Sequence, residues 1–169
     1  MKDVVISVVI PTFNDEAVLG RALAPLVPAA VAGLVREVIV ADGGSSDATL
    51  DIADDAGCRI LAGQPQVEER LRAAARKAQA DWLMLMRPCV QLLPGWEQAV
   101  REHVETRMGE GARLPLIRLG SAGWLAALLG GRSGAEVLVV SRSAFAEEGR
   151  PRTLRRLASG CALLIRAPA

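Results

Sequence analysis

Ser7-Val8-Val9-Ile10-Pro11-Thr12-Phe13-Asn14-Asp15-Glu16 and, further on, Glu37-Val38-Ile39-Val40-Ala41-Asp42-Gly43-Gly44-Ser45-Ser46-Asp47-Ala48-Thr49 are the two stretches that decide the fold. Each begins with a short β-branched run, residues 4 to 10 and 37 to 41, and passes abruptly into polar and turn-forming residues. The runs are almost continuously apolar rather than alternating, the pattern of strands covered on both faces, which predicts a parallel sheet. Between them Ala17, Leu19, Leu23 and Leu26 follow a helical stripe. Asn14-Asp15-Glu16 stands at the start of that stripe, with a cap candidate and acidic side chains against the positive end of the helix dipole. Strand, helix, strand is therefore the opening unit.

The alternation continues along the chain. Ser45 and Ser46 are expected to cap a second helix running to about Ala56, with Gly57 closing it and Cys58 to Leu61 as a third strand. Val67, Leu71, Ala74, Ala75 and Ala78 recur at helical spacing, with Glu68, Glu69, Arg72, Arg76 and Lys77 turned outward. Trp82 to Met86 is a fourth strand, and Pro94 opens a helix carrying Trp96, Val100 and Val104 on one face. Leu114 to Leu119, Glu136 to Val140 and Ala162 to Ile165 are further strand candidates, and Phe145 falls on a short helix. Gly109 to Arg113 and Gly130 to Gly134 read as loops.

Composition bounds the rest. A length of 169 residues suits one domain with a single sizeable core, spanning residues 1–169. Apolar residues make up 51% and charged residues 23%, a globular balance, and the 3% aromatic content leaves Ala, Val and Leu to fill the interior. The formal charge of +1 provides no global field for nucleic acid or an anionic membrane. Cys58, Cys89 and Cys161 are too far apart for a zinc site and odd in number, so a reducing, cytoplasmic location is expected. The N-terminus reads as a strand rather than a leader, and no segment is long enough to span a bilayer. Trp124 to Leu129 reads as a short packed helix, or as a peripheral membrane contact.

The two opening motifs resemble those of family 2 glycosyltransferases, inverting enzymes of GT-A fold that use nucleotide sugars. Trp82 to Trp96 is similar to that family's strand and turn around its acidic metal motif, and Gly134 to Phe145 to its later strand and helix. The resemblance implies a three-layer α/β domain with a mostly parallel central sheet. It also implies a nucleotide-diphosphate sugar of UDP or GDP type as partner, bound by Pro11, Thr12, Phe13, Asn14, Glu16, Asp42 and Gly43. Where the family often carries a second consecutive Asp, this chain has Gly43.

The departures fall where the family does its chemistry. An Asp-x-Asp or His-Ala-Asp-type motif is expected at the end of the fourth strand, with Mg²⁺ or Mn²⁺ neutralising the diphosphate leaving group. Positions 87 and 89 are Arg and Cys instead, so no metal ligands are assigned, and Arg87 becomes a candidate for the diphosphate itself. Arg72 stands where related sequences commonly place Asn. The acidic pair that supplies the family's general base has no counterpart between Phe145 and Leu157; Glu147 and Glu148 do not match its position, and no catalytic residue is assigned.

Each candidate has a plainer reading. Asp42 also suits a turn, Asn14 and Glu16 a helix start, and Asp47 support of the second helix. Arg87 also suits a solvated loop, Cys89 an inert thiol, His103 simple packing, and Arg150, Arg152, Arg155 and Arg156 a solvated helix face. Two functions therefore stand: a glycosyltransferase-like protein working without the usual divalent metal, or a non-catalytic nucleotide-binding or protein-interaction module on the same fold. A sugar nucleotidyltransferase ranks last, because no glycine-rich phosphate loop follows the first strand.

Overall fold

The computed structural model describes residues 4–63, 66–107, 117–121 and 135–147. The expected strand at 162–165, the helix at 124–129, the two glycine loops, residues 114–116 and the arginine cluster lie outside them. In chain order the elements are β1 (Ile6–Thr12), α1 (Glu16–Leu23), α2 (Leu26–Val31), β2 (Val35–Asp42), α3 (Thr49–Asp55) and β3 (Arg59–Ala62). There follow α4 (Val67–Lys77), β4 (Trp82–Met86), β5 (Gln91–Leu92), α5 (Trp96–Arg107), β6 (Ile117–Ser121), β7 (Ala135–Ser141) and α6 (Arg142–Glu147).

The described strands form one sheet in the order β3-β2-β1-β4-β7-β6-β5. The half made of β3, β2, β1 and β4 is parallel throughout, while β7 pairs antiparallel with β4 and β6 antiparallel with β7. Since β6 thereby regains the direction of β4, only β7 and β5 run against the rest, and the sheet is mostly parallel.

Strand alternation sorts the core into two layers. Ile6, Val8 and Ile10 of β1, Met84 and Met86 of β4, and Val137 and Val139 of β7 face α1, α2, α3 and α5 through Leu19, Leu23, Leu26, Ala29, Ala53, Trp96, Val100 and Val104. Their neighbours Val9, Ile39, Ala41, Leu83, Leu85, Leu138 and Val140 face α4 and α6 through Leu71, Ala74, Ala75 and Phe145. Helices on both faces of a sheet give the three-layer α/β architecture. Each fully buried Ile, Leu or Met contributes about 1.5–3 kcal/mol of transfer energy, so truncation of Met84 or Leu83 to Ala is a core-breaking change.

Local details depart from the sequence reading at three places. The first helical stripe is two helices, because Pro25 occupies the N-cap of α2 and the chain turns there; Ala17 is exposed, and Leu19, Ala22, Leu23 and Leu26 form the buried stripe. Ser45 and Ser46 do not cap α3, which begins at Thr49 behind Ala48. Asp47 accepts from the Thr49 amide instead, at 3.0 Å, and the serines are used elsewhere. Pro94 precedes α5 by a turn, with Gly95 at φ +85° before the helix starts at Trp96. Gly57, by contrast, closes α3 in the left-handed conformation at φ +70°, as its position past the last helical residue requires.

Candidate functional site

The parallel strands β1 and β2 end in register, Thr12 opposite Asp42, so their following loops leave the sheet side by side. Those loops are tied together residue by residue. Asn14 donates its amide to Ser45 Oγ and accepts from the Ser46 amide at its Oδ1, both at 2.8 Å. The Asp15 amide donates to Thr49 Oγ1 at 2.8 Å, the Glu16 amide to Asp47 Oδ2 at 3.2 Å, and Glu16 Oε2 accepts from the Ala48 amide at 2.9 Å. The Gly43 amide donates to the Thr12 carbonyl at 2.9 Å. Asn14 holds φ +52°, a left-handed conformation that Asn tolerates better than most residues. The acidic and amide side chains of both motifs thus serve as backbone acceptors in a clasp between two loops.

Asp42 is the centre of the clasp and has no accessible surface. Its Oδ1 accepts from Thr12 Oγ1 at 2.7 Å and Ser45 Oγ at 2.6 Å, and its Oδ2 from the Gly44 and Ser45 amides at 2.7 and 2.8 Å. A carboxylate has about four lone-pair positions, and all are taken from within. Burial works against its charge, but bonds from the Ser45 side chain and amide, Thr12 and Gly44 outweigh that and hold the carboxyl below its ordinary range. Burial also opposes the charge of Asp47, which is lowered nonetheless by bonds from the Thr49 side chain and amide and the Glu16 amide. Both carboxylates are anions that organise backbone donors.

Beside the clasp, at the C-terminal edge of the sheet, opens a cleft of about 320 Å³. One wall is Pro11, Thr12, Phe13 and Asp15; α4 contributes Val67, Arg70 and Leu71; the end of β4 contributes Leu85 through Cys89. Phe13 stands at the rim with 59% of its surface exposed. Asp15 is turned back on the chain, its Oδ2 accepting from the Phe13 amide at 2.8 Å. After β4 the chain makes a turn in which the Val90 amide donates to the Arg87 carbonyl at 3.0 Å. That turn leaves Arg87 and Cys89 exposed and buries Pro88. Among the described residues the Arg87 side chain has no hydrogen bond or ion pair.

Of the residues expected to bind nucleotide, Pro11, Thr12, Phe13 and Arg87 line the cleft. Asn14, Glu16, Asp42 and Gly43 belong to the clasp behind it. The sequence reading missed Arg70, which is only 7% exposed and donates Nε–H to the Ala41 carbonyl at 3.2 Å. Its signal was its place in the period: position 70 lies with 67, 71, 74, 75 and 78 on the inner stripe of α4, where a charged side chain is out of pattern. His103 packs edge-on against Trp82, with ring centroids 6.4 Å apart, which accords with its packing reading.

The donor set that the described residues bring to the cleft does not suit a divalent cation. Mg²⁺ and Mn²⁺ require hard oxygen ligands, and among the described residues the cleft is lined by two guanidinium groups, a thiol and one carboxylate already engaged. Among the described residues no three His, Cys, Asp or Glu side chains come together to hold a metal. No helix among them is long and apolar enough to cross a membrane.

A three-layer domain with its cleft at the carboxyl edge of β1 and β4 is the architecture of a GT-A glycosyltransferase. The model of glycosyl transferase family 2 matches residues 7–106, more than half of the chain, and the chain belongs to that family. Glucosyl-3-phosphoglycerate synthase from Mycobacterium tuberculosis solved with UDP is 22% identical, with a TM-score of 0.62 over 99% of this chain and 73% of that one. The same synthase with Mn²⁺, UDP and phosphoglyceric acid is 23% identical, with a TM-score of 0.59 over 83% of this chain. A further mycobacterial protein gives 23% and 0.59. In these last two alignments this chain spans only 57% and 54% of the other's length. No curated protein sequence matches the chain.

Proposed function

We propose that the cleft binds a nucleoside diphosphate sugar, UDP- or GDP-linked, and that the chain transfers its sugar to an acceptor without a divalent metal at the usual position. The observation that carries this reading is the pairing of an apolar rim, Phe13 and Pro11, with an exposed cation, Arg87, across one cleft at the sheet edge. A planar base stacks on the first, and a diphosphate meets the second. Thr12 and Gly43 support the base end from the clasp, and Asn14, Glu16 and Asp42 hold the loop that carries Phe13. A guanidinium supplies fixed positive charge where charge develops on a departing diphosphate, the role electrostatic preorganisation plays in transfer reactions.

The same observation favours a second reading. Arg87 and Cys89 stand where the family's metal ligands are expected, and a domain that has given up those ligands is also suited to binding nucleotide without turnover. Calorimetric titration with UDP, GDP and their sugars, with and without Mn²⁺, followed by a hydrolysis and transfer assay, separates the two. Sugar release or transfer supports the enzyme; binding without turnover supports the module. Absence of binding at millimolar ligand refutes both.

A further inference from the structure

Phe13 lines the cleft with more than half of its surface exposed, so its ring has little packing to hold it and takes its direction from the backbone of residues 13–15. Among the described residues, three bonds tie residues 13–15 to the facing loop. Two run through Asn14, its amide to Ser45 Oγ and its Oδ1 from the Ser46 amide; Asn14 and Ser46 are exposed and Ser45 half-exposed, so water competes for both. The third runs from the Asp15 amide to Thr49 Oγ1 at 2.8 Å, and Thr49 has no accessible surface. Water cannot replace a buried partner, so this is the tie that costs most to break. Asp47 Oδ1 accepts the Thr49 hydroxyl proton at 2.5 Å and the Thr49 amide at 3.0 Å, which leaves the hydroxyl's lone pairs for Asp15. Asp15 in turn accepts the Phe13 amide on Oδ2 at 2.8 Å, and its carbonyl takes the Val18 and Leu19 amides at the start of α1. The bonds make one chain, Asp47 to Thr49 to Asp15 to Phe13, from the start of α3 to the rim of the cleft, and Thr49 is its one buried member.

We propose that Thr49 is a positioning residue of the cleft: its hydroxyl, buried behind the lining, fixes Asp15 and through it the direction in which Phe13 presents its ring to a base. That a base meets the ring rests on the nucleotide-sugar reading above; the relay itself does not. The role needs a group that donates and accepts at once, which Ser supplies and Val and Ala do not. Val matches the shape of Thr, so Thr49→Val removes the relay and keeps the packing. A residue that acts through Phe13 also loses its influence once that ring is gone, whereas a residue that merely supports the fold does not.

The experiment is calorimetry with UDP, uridine and inorganic pyrophosphate on the wild type, Thr49→Val, Thr49→Ala, Thr49→Ser, Phe13→Ala and the double variant Thr49→Val with Phe13→Ala. Phe13→Ala should weaken UDP and uridine by about five- to a hundredfold, the range of one base stacked on one aromatic ring. Thr49→Val and Thr49→Ala should weaken both by about three- to tenfold, leave pyrophosphate within about twofold, and be rescued by Thr49→Ser. In the Phe13→Ala background Thr49→Val should change UDP affinity by less than about twofold. An equal loss in that background, a parallel loss of pyrophosphate, or no loss in either single variant overturns the positioning role and leaves the nucleotide reading standing. Hydrogen exchange on the wild type tests the relay with no variant at all: the Asp15 amide should exchange at least about tenfold more slowly than the Asn14 amide, and the reverse order overturns it. A wild type that binds none of the three ligands refutes the nucleotide reading and this role with it.

Discussion

Replacing Asp42 tests whether the clasp holds the site together. Asp42→Ala deletes the acceptor of four hydrogen bonds between 2.6 and 2.8 Å, two from backbone amides and two from hydroxyls. Charge-assisted bonds of this kind contribute roughly 1.5–3 kcal/mol each, but they are not additive. Gly44 is exposed and Ser45 half-exposed, so water re-satisfies their amides, whereas buried Thr12 loses its partner outright. The expected loss is therefore about 3–4 kcal/mol rather than the sum. For a chain of this size that lowers Tm by roughly 6–15 °C. Asp42→Asn keeps shape and neutral hydrogen bonds, its oxygen taking the amides and its nitrogen donating to the hydroxyls, and should lose about half as much.

Urea unfolding monitored by tryptophan fluorescence, at fixed pH and repeated on acidification, reads both size and cause. The folded-state pKa of Asp42 lies below the ordinary value of 3.8, so its ionisation stabilises the fold fully above that value. The contribution is lost as pH falls from there through the folded pKa. The gap between wild type and Asp42→Asn should be constant at neutral pH and shrink below about pH 4. An Asp42→Ala protein that melts within about 1 °C of wild type would falsify the clasp.

Three further outcomes are expected. Asn14→Ala should be less stable than Asn14→Gly by roughly 1 kcal/mol, because both lose the bond to the Ser46 amide but only Ala is strained at φ +52°; equal melting curves contradict this. Millimolar Mn²⁺ should leave Tm unchanged, whereas Arg87→Asp with Cys89→Asp should make UDP binding depend on it. A metal at a hundred times its Kd stabilises by about 2.7 kcal/mol, so an EDTA-reversible rise in the wild type refutes the metal-free reading. Burial pushes the Cys58 thiol up to about 11, leaving about one molecule in a thousand ionised at pH 8, so brief iodoacetamide treatment should label exposed Cys89 and spare Cys58. Peptide mass mapping with equal labelling of the two would show the burial to be wrong.

The parallel half of the sheet was legible because its strands announce themselves by composition: Val8 to Ile10 and Val38 to Ala41 are apolar on consecutive positions and stop at Pro11 and Asp42. The same property hid the antiparallel half. A strand covered on both faces carries no mark of its direction, so Val137 to Val140 reads the same whether it runs with β4 or, as it does, against it. The clasp was visible as residue types and invisible as partners. Asn14, Glu16, Ser45 and Asp47 all have local capping roles available, and only the strand register Thr12 to Asp42 reveals that each bonds to the other loop. Arg70 was overlooked because a single arginine on an amphipathic helix is ordinarily assigned to the solvent face, even when its number places it on the inner one.

The clasp and the cationic cleft are coupled through one backbone segment. Gly43 follows Asp42 directly, its amide is fixed on the Thr12 carbonyl, and Ala41 on the other side accepts from Arg70. The carboxylate that orders the loop therefore also sets the surface on which the guanidinium rests. A metal-using site gathers its positive charge from solution and needs only ligands of the right geometry. A site built on arginine has to hold its charge in place before the ligand arrives, and it does so with rigid neighbours. On the metal-free reading proposed above, that requirement would account for the density of hydrogen bonds at residues 12–16 and 42–49, which brace the loops beside the cleft.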